Sequence, residues 1–351
     1  MSELSPQSRY EEGKREFKES FIEERLQLFE GKTEEEKKAL RTRLIREATI
    51  IYDEALRYFA ENASTAESLQ QFQVTLVQLP EFRAQEITER IQEAEHSYSP
   101  DSSADGYTEG SATSDDEIKT IEGSQPVLLT AEHATDQIRN DAKKSADWGT
   151  GGLTEVIATD HGTFAVTATG RQTGDANYND SHPLKTQAGL LVVEKRLDLA
   201  LSIHGMGTGK YLTEGELLSQ TSSDIAIGIG REHNDKTLEF AEWLRGVAQT
   251  LELKADINPW YLAVDQSGDV RYKDSLPLRN SFRADKARTT RSHLATQTQE
   301  QGLIIPVAQI ELSSDLRVGP TGKNLNFEKI YKAYLLLSEA VLKYSIGHSQ
   351  R

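Results

Sequence analysis

The sequence contains no cysteine. That excludes a disulfide framework and every cysteine-ligated zinc site, so any bound metal must be held by histidine and carboxylate groups. Long apolar runs are missing as well: none approaches the roughly 20 residues of a membrane-spanning helix. The opening MSELSPQSRYEE has no apolar stretch of the kind a secretory signal carries. The expected location is therefore cytoplasmic. Positive charge is scarce, with 40 Lys and Arg against 56 Asp and Glu and a formal net charge of -16. A phosphate-binding surface needs clustered Lys and Arg, so nucleic acid and anionic membrane are both excluded as partners. An anionic substrate would have to meet positive charge assembled locally, from a metal or a few arginines.

The chain of 351 residues is longer than one typical domain. Residues 7–96 read as helix. Thr33 with Glu36, and Ser64 with Glu67, form capping boxes. Leu40, Leu44, Ala48, Ile51, Ala55 and Phe59 recur at three- and four-residue intervals and make one apolar stripe. Pro80 is expected to end the third helical segment, because its ring cannot continue the ladder. This all-α module, residues 1–96, holds one histidine and no cluster of chemical groups. It reads as a structural or interaction module, with a protein as its expected partner. Residues 97–118 are Ser, Asp, Gly and Thr with almost no apolar side chain, the composition of a flexible acidic linker.

From residue 119 the pattern changes. Apolar runs of strand length appear at 126–131, 164–169, 199–203, 225–229 and 304–312. Helix-like stretches lie between them at 183–196, 236–251 and 326–344. Strands that are apolar throughout and alternate with helices imply an α/β fold, with a mixed sheet covered by helices on both faces. Residues 119–351 form this domain. In such sheets ligands sit beyond the C-terminal ends of the strands.

Three strand ends carry suitable groups: Thr130-Ala-Glu-His-Ala-Thr-Asp136, Ser202-Ile-His-Gly205 and Gln309-Ile-Glu-Leu-Ser313. His133 and Asp136 can meet one ion from a single turn, and His204 can supply the third ligand, which is a catalytic zinc pattern. If Asp136 instead caps a helix starting near Gln137, Glu132 is the alternative carboxylate ligand. Glu311, a carboxylate in an otherwise apolar strand, is the candidate general base. In the loop 170–180, Arg171 and Asn177 are candidates to grip a substrate carboxylate. Arg283, Arg288, Arg291 and Arg317 are further cations, and Arg317, close behind Glu311, is the first choice. The glycines of His204-Gly-Met-Gly-Thr-Gly-Lys210 do not match a phosphate loop and are read as a turn. His161, His182, His233 and His293 are read as surface or packing residues.

The segments Val127-Leu-Leu-Thr-Ala-Glu-His-Ala134, Asp147-Trp-Gly-Thr-Gly-Gly-Leu153, Gly174-Asp-Ala-Asn177, Ser202-Ile-His-Gly205 and Ile310-Glu-Leu-Ser313 occur in an order that resembles the N-formylglutamate amidohydrolases. More distantly they resemble the zinc carboxypeptidases and aspartoacylases. The resemblance spans about 125–345. It implies a carboxypeptidase-like sheet and one zinc ion on His133, Asp136 and His204, with Glu311 as the catalytic glutamate. It further implies hydrolysis of an amide in a small acidic N-acyl or peptide-like substrate. Two departures stand out: Tyr178 follows Asn177 where those families have arginine, and Asp136 stands where carboxypeptidases have glutamate. A carboxypeptidase-like peptidase and a non-enzymatic scaffold are the alternatives.

Overall fold

The computed structural model describes Arg15, Lys18, Glu19, Ile22 and Arg41, then residues 69–98, 117–139, 142–169, 174–179, 181–206, 212–213, 216–217, 223–230, 233–258, 260–264, 270–273, 289–318 and 325–348. The chain divides into two compact units, Met1–Gln85 and Glu86–Arg351. The capping boxes, the apolar stripe at 40–59 and most of the acidic linker lie outside the described residues.

Helix α1 (Leu69–Tyr98) corrects one expectation, since it runs through Pro80 rather than ending there. A proline inside a helix removes one amide bond and displaces one carbonyl, which can kink a helix without ending it. Good helix formers on both sides, such as Leu79, Glu81, Arg83 and Ala84, carry the ladder across. The last turns of α1 belong to the second unit, where Ile87, Ile91, Glu95 and Tyr98 are all buried.

Within the second unit the described strands of the main sheet are β1 (Ile118–Ile121), β2 (Gln125–Ala131), β3 (Thr163–Ala168), β4 (Leu199–Met206), β5 (Ile225–Gly228), β6 (Ala255–Asn258) and β7 (Val307–Ser313). Their order is β1-β3-β2-β4-β7-β5-β6. The central four, β3-β2-β4-β7, are parallel. Edge strand β1 and the β5–β6 pair run the other way. The fold is thus α/β with a mixed sheet, and its strand runs are apolar because both faces are covered.

The helices are α2 (Thr150–His161), α3 (Pro183–Glu194), α4 (Asp235–Thr250), α5 (Thr290–Glu300) and α6 (Phe327–His348). Their starts follow local rules. Asn234 caps α4 through an amide of Thr237 at 2.8 Å, and Thr289 caps α5. His182 accepts the Leu184 amide ahead of Pro183 at the first position of α3. On one face Leu129, Leu201, Ile203 and Ile310 pack with α2, α4, α6 and the end of α1. On the other, Leu128, Ala200 and Val307 pack with Leu184, Ala188 and Leu191 of α3 and Leu294 of α5. Each buried Leu, Ile or Val side chain among these contributes about 1.5–3 kcal/mol. Among the described residues no helix is long and apolar enough to cross a membrane.

This second face positions the chemistry. Successive side chains of a strand alternate faces, so residues two apart share one. Two residues beyond Leu128, Ala200 and Val307 the same columns carry Thr130, Ser202 and Gln309, and these positions stand level across β2, β4 and β7. Two further on come Glu132, His204 and Glu311, with His204 and Glu311 in direct register. The face therefore changes from apolar to polar at the C-terminal edge of the parallel strands, in two stacked rows.

Candidate metal centre

The upper row brings His204 beside Glu132 and Glu311, and the turn after β2 folds His133 over it. The two imidazole rings stand edge to face, with centroids 4.7 Å apart and planes at 79°. Both are buried, as are Glu132 and Glu311. His204 Nδ1 lies 3.2 Å from His133 Nδ1. Asp147 Oδ2 lies 3.2 Å from His133 Nδ1 and 3.7 Å from His204 Nδ1. Among the described residues, His133, Asp147 and His204 form the cluster of side chains whose donor atoms could share one ion.

The outer ring nitrogens are occupied differently. His133 Nε2 is 2.9 Å from Asp175 Oδ1. His204 Nε2 is 3.1 Å from Glu132 Oε2 and 2.9 Å from Ser202 Oγ. A carboxylate at Nε2 holds the proton on that nitrogen and leaves Nδ1 with a lone pair. Two neutral rings held this way would point two lone pairs and a carboxylate oxygen at one another. A proton or a metal cation between them resolves that repulsion. Carboxylate–histidine pairs behind a metal are the usual supporting arrangement. Zinc bonds of about 2.0–2.1 Å in a tetrahedron place ligand atoms about 3.3 Å apart, close to the three separations here. The donor set fits zinc.

The lower row fixes the upper one. Thr130 Oγ1 donates to Glu132 at 2.6 Å, and Ser202 Oγ donates to both of its oxygens at 3.0 Å. Gln309 Nε2 donates to Glu311 Oε1 at 2.5 Å. Burial pushes Glu132 upward, but the charge of His204 and hydrogen bonds from His204 and Thr130 outweigh it and leave the carboxyl well below its ordinary range. Burial pulls His204 down, yet Glu132 and Asp147 outweigh that and leave it well above the usual imidazole. The pocket favours positive charge between its carboxylates. Glu311 is shifted upward, chiefly by burial, with Asp147 adding to the rise and His204 opposing it.

The carboxylate that stands beside the two histidines is that of Asp147, whereas Asp136 lies on the loop leading to it. Asp136 Oδ1 accepts the Ala146 amide at 2.8 Å, so it closes the loop that delivers Asp147. No helix starts at Gln137; residues Gln137–Arg139 and Ala142–Lys144 form a small hairpin. Glu132, the alternative ligand, stands behind His204 on the side away from the cluster. Asn177 Oδ1 accepts the Thr290 amide at 2.8 Å and so ties its loop to the start of α5. Among the described residues of that loop, Asp175 reaches the cluster. Arg171, Arg283 and Arg288 lie outside the described residues. Arg291 is buried and bonds the Val307 carbonyl. Arg317 is buried beside the cluster, with Nε on the Leu312 carbonyl at 3.1 Å and Nη1 on the Trp148 carbonyl. Its guanidinium packs against Gly205, where a Cβ would overlap it. Gly205 has no side chain for that reason, and its amide donates to Asp147 Oδ2 at 2.9 Å. Sequence reasoning missed Asp147 and Asp175 as members of the cluster. Both lie on loops, where no periodic pattern marks them; the repeated endings T-x-E, S-x-H and Q-x-E mark only the shared face of Glu132, His204 and Glu311.

No family model matches the chain, and no curated protein does. Among solved structures it is similar to a bacteriophage poly-gamma-glutamate hydrolase, at 14% identity and a TM-score of 0.38, over 65% of this chain and 89% of that one. It is also similar to an N-formylglutamate amidohydrolase from Ralstonia eutropha JMP134, at 10% identity and a TM-score of 0.41, over 65% and 99% of the two chains. A third is a metallo-carboxypeptidase from Pseudomonas aeruginosa, at 13% identity and a TM-score of 0.36, over 65% and 60%.

Proposed function

We propose that the chain is a zinc-dependent amidohydrolase, which binds one ion through His133, Asp147 and His204 and cleaves an amide bond in an acidic N-acyl amino acid or peptide-like substrate. The observation that carries the reading is the shared orientation of the two imidazoles: each turns Nε2 to a buried carboxylate and Nδ1 to Asp147. When bound, zinc supplies Lewis acidity toward a carbonyl and lowers the pKa of water to about 7.

The chain's own groups divide the remaining work. Glu311, in register with His204, is the proton carrier: raised above its ordinary range by burial, it accepts a proton from attacking water and passes it to the leaving nitrogen. Asp175 and Glu132 hold the rings and their tautomers. Arg317 balances the negative charge of Asp147 and Glu311 and draws the carboxylate of an acidic substrate toward the site. Arg171 and Asn177 are the further candidates for holding that carboxylate. Burial of the cluster excludes bulk water and strengthens each of these interactions.

Glu311→Gln tests the reading. The variant should keep its zinc and lose turnover of N-acyl glutamate or aspartate by at least about 10²-fold. Undiminished turnover in Glu311→Gln would remove Glu311 from the mechanism. A zinc-loaded wild type without turnover of any N-acylated acidic substrate would leave the scaffold reading.

A further inference from the structure

The sequence 147–153, Asp-Trp-Gly-Thr-Gly-Gly-Leu, joins a proposed metal ligand directly to helix α2. Its geometry is set from outside. Glu95, on the last turn of α1, is buried, and its two oxygens accept the amides of Gly149 and Gly152, each at 2.7 Å. Gly149 has a φ of +90°, a backbone conformation that glycine adopts readily. At Gly152 a Cβ would overlap the Ile91 carbonyl, and at Gly151 it would lie 2.7 Å from the Tyr98 ring. The missing side chains let α1 lie directly against the start of α2. Arg317 holds the same turn from the other side through the Trp148 carbonyl. Asp147 is thereby fixed between the two: its amide donates to the His133 carbonyl at 2.7 Å, and its own carbonyl accepts the Thr150 hydroxyl at 2.7 Å.

Resting on the proposed zinc reading, we infer that Glu95 is a positioning residue of the metal centre: by holding the amides of Gly149 and Gly152 it sets the turn that presents Asp147 to the two histidines. The last turns of α1 are then part of the catalytic unit. Glu95 touches neither the ion nor the substrate; its effect passes through the backbone of one loop.

The test uses cobalt(II) as the probe, added to the full-length metal-free protein. Affinity is read by titration and ligand geometry by the visible d–d absorption. Glu95→Ala should weaken cobalt binding by about tenfold to a hundredfold, the usual effect of removing a supporting group, and should alter the absorption envelope. Glu95→Gln, which keeps one acceptor oxygen, should recover part of the affinity. Leu244→Ala, in the core under α4, serves as a control that lowers melting temperature without touching the loop; it should bind cobalt as the wild type does. Wild-type affinity and spectrum in Glu95→Ala would overturn the positioning role while leaving the metal centre standing. Affinity lost equally in Leu244→Ala would also overturn it, since general destabilisation would then explain the effect. A wild type that binds no cobalt would overturn both the metal reading and this inference.

Discussion

Glu132→Gln removes one charge and no volume from the site, and its consequences can be worked out atom by atom. Glu132 is fully buried and receives four contacts: the Thr130 hydroxyl at 2.6 Å, the Ser202 hydroxyl at 3.0 Å to each oxygen, and His204 Nε2 at 3.1 Å. Glutamine offers a single acceptor oxygen. Its amide nitrogen must take the place either of the oxygen facing Thr130 and Ser202, whose hydroxyls can turn to accept, or of the oxygen facing Ser202 and His204, where it meets Nε2–H donor against donor. If it faces His204, the proton leaves Nε2 for Nδ1, and the nitrogen aimed at Asp147 is no longer a free ligand. Loss of such a supporting carboxylate costs about 10–100-fold in metal affinity, or about 1.4–2.7 kcal/mol. The metal-free protein should suffer more, because His204 then carries positive charge, and breaking a buried ion pair costs about 3–5 kcal/mol. The assay is zinc competition against a fluorescent chelator, paired with urea unfolding of the metal-free protein. A zinc affinity equal to wild type would show that Glu132 does not support a ligand, and the carboxylate–histidine account would fail.

Other perturbations follow from the same contacts. Asp175→Asn should lower zinc affinity in the same 10–100-fold range by releasing the tautomer of His133; unchanged affinity in chelator competition would separate Asp175 from the site. Gly205→Ala puts a methyl into the Arg317 guanidinium and displaces it from two backbone carbonyls and the nearby carboxylates. Urea unfolding should show a loss of about 3–5 kcal/mol, and a loss below about 1 kcal/mol would mean the guanidinium has room to move. Burial lifts Glu95 from 4.5 to about 7, against the pull of the Gly152 and Gly149 amides and Arg317. Because the folded state holds this proton more tightly, the associated stability is present below about pH 4.5 and is lost as pH rises to about 7. It amounts to at most about 3 kcal/mol. Glu95→Gln cannot titrate, so its stability should fall less than that of the wild type across this window. Equal pH slopes in unfolding measurements would refute the assignment.

Where the sequence was informative, a physical constraint wrote directly into residue type. Strands buried on both faces are built mainly of apolar side chains, so 126–131 and 199–203 stand out as apolar runs, and a His or Glu at their ends has few structural reasons to be there. His133, His204 and Glu311 were visible on that ground. Asp147 and Asp175 were not, because both sit on loops, where aspartate is commonplace as a turn residue. Asp136 was read as a ligand because the H-x-x-D spacing suits a ligand pair and a loop-closing aspartate equally well. Helix α2 was not among the helices read from sequence, since its first turn carries Gly151 and Gly152 and its body is rich in Thr, Val and Ile. Those glycines are explained by the approach of α1, a tertiary contact that no local pattern records. Pro80 misled in the same way: a local preference set a boundary that the rest of the helix overrode.

The most direct test is metal analysis of the purified full-length protein beside His204→Ala, both loaded with zinc and then dialysed. The geometry predicts about one zinc per chain in the wild type and next to none in His204→Ala. A stoichiometric ion retained by His204→Ala, or none in the wild type, would contradict a centre built on His133, Asp147 and His204.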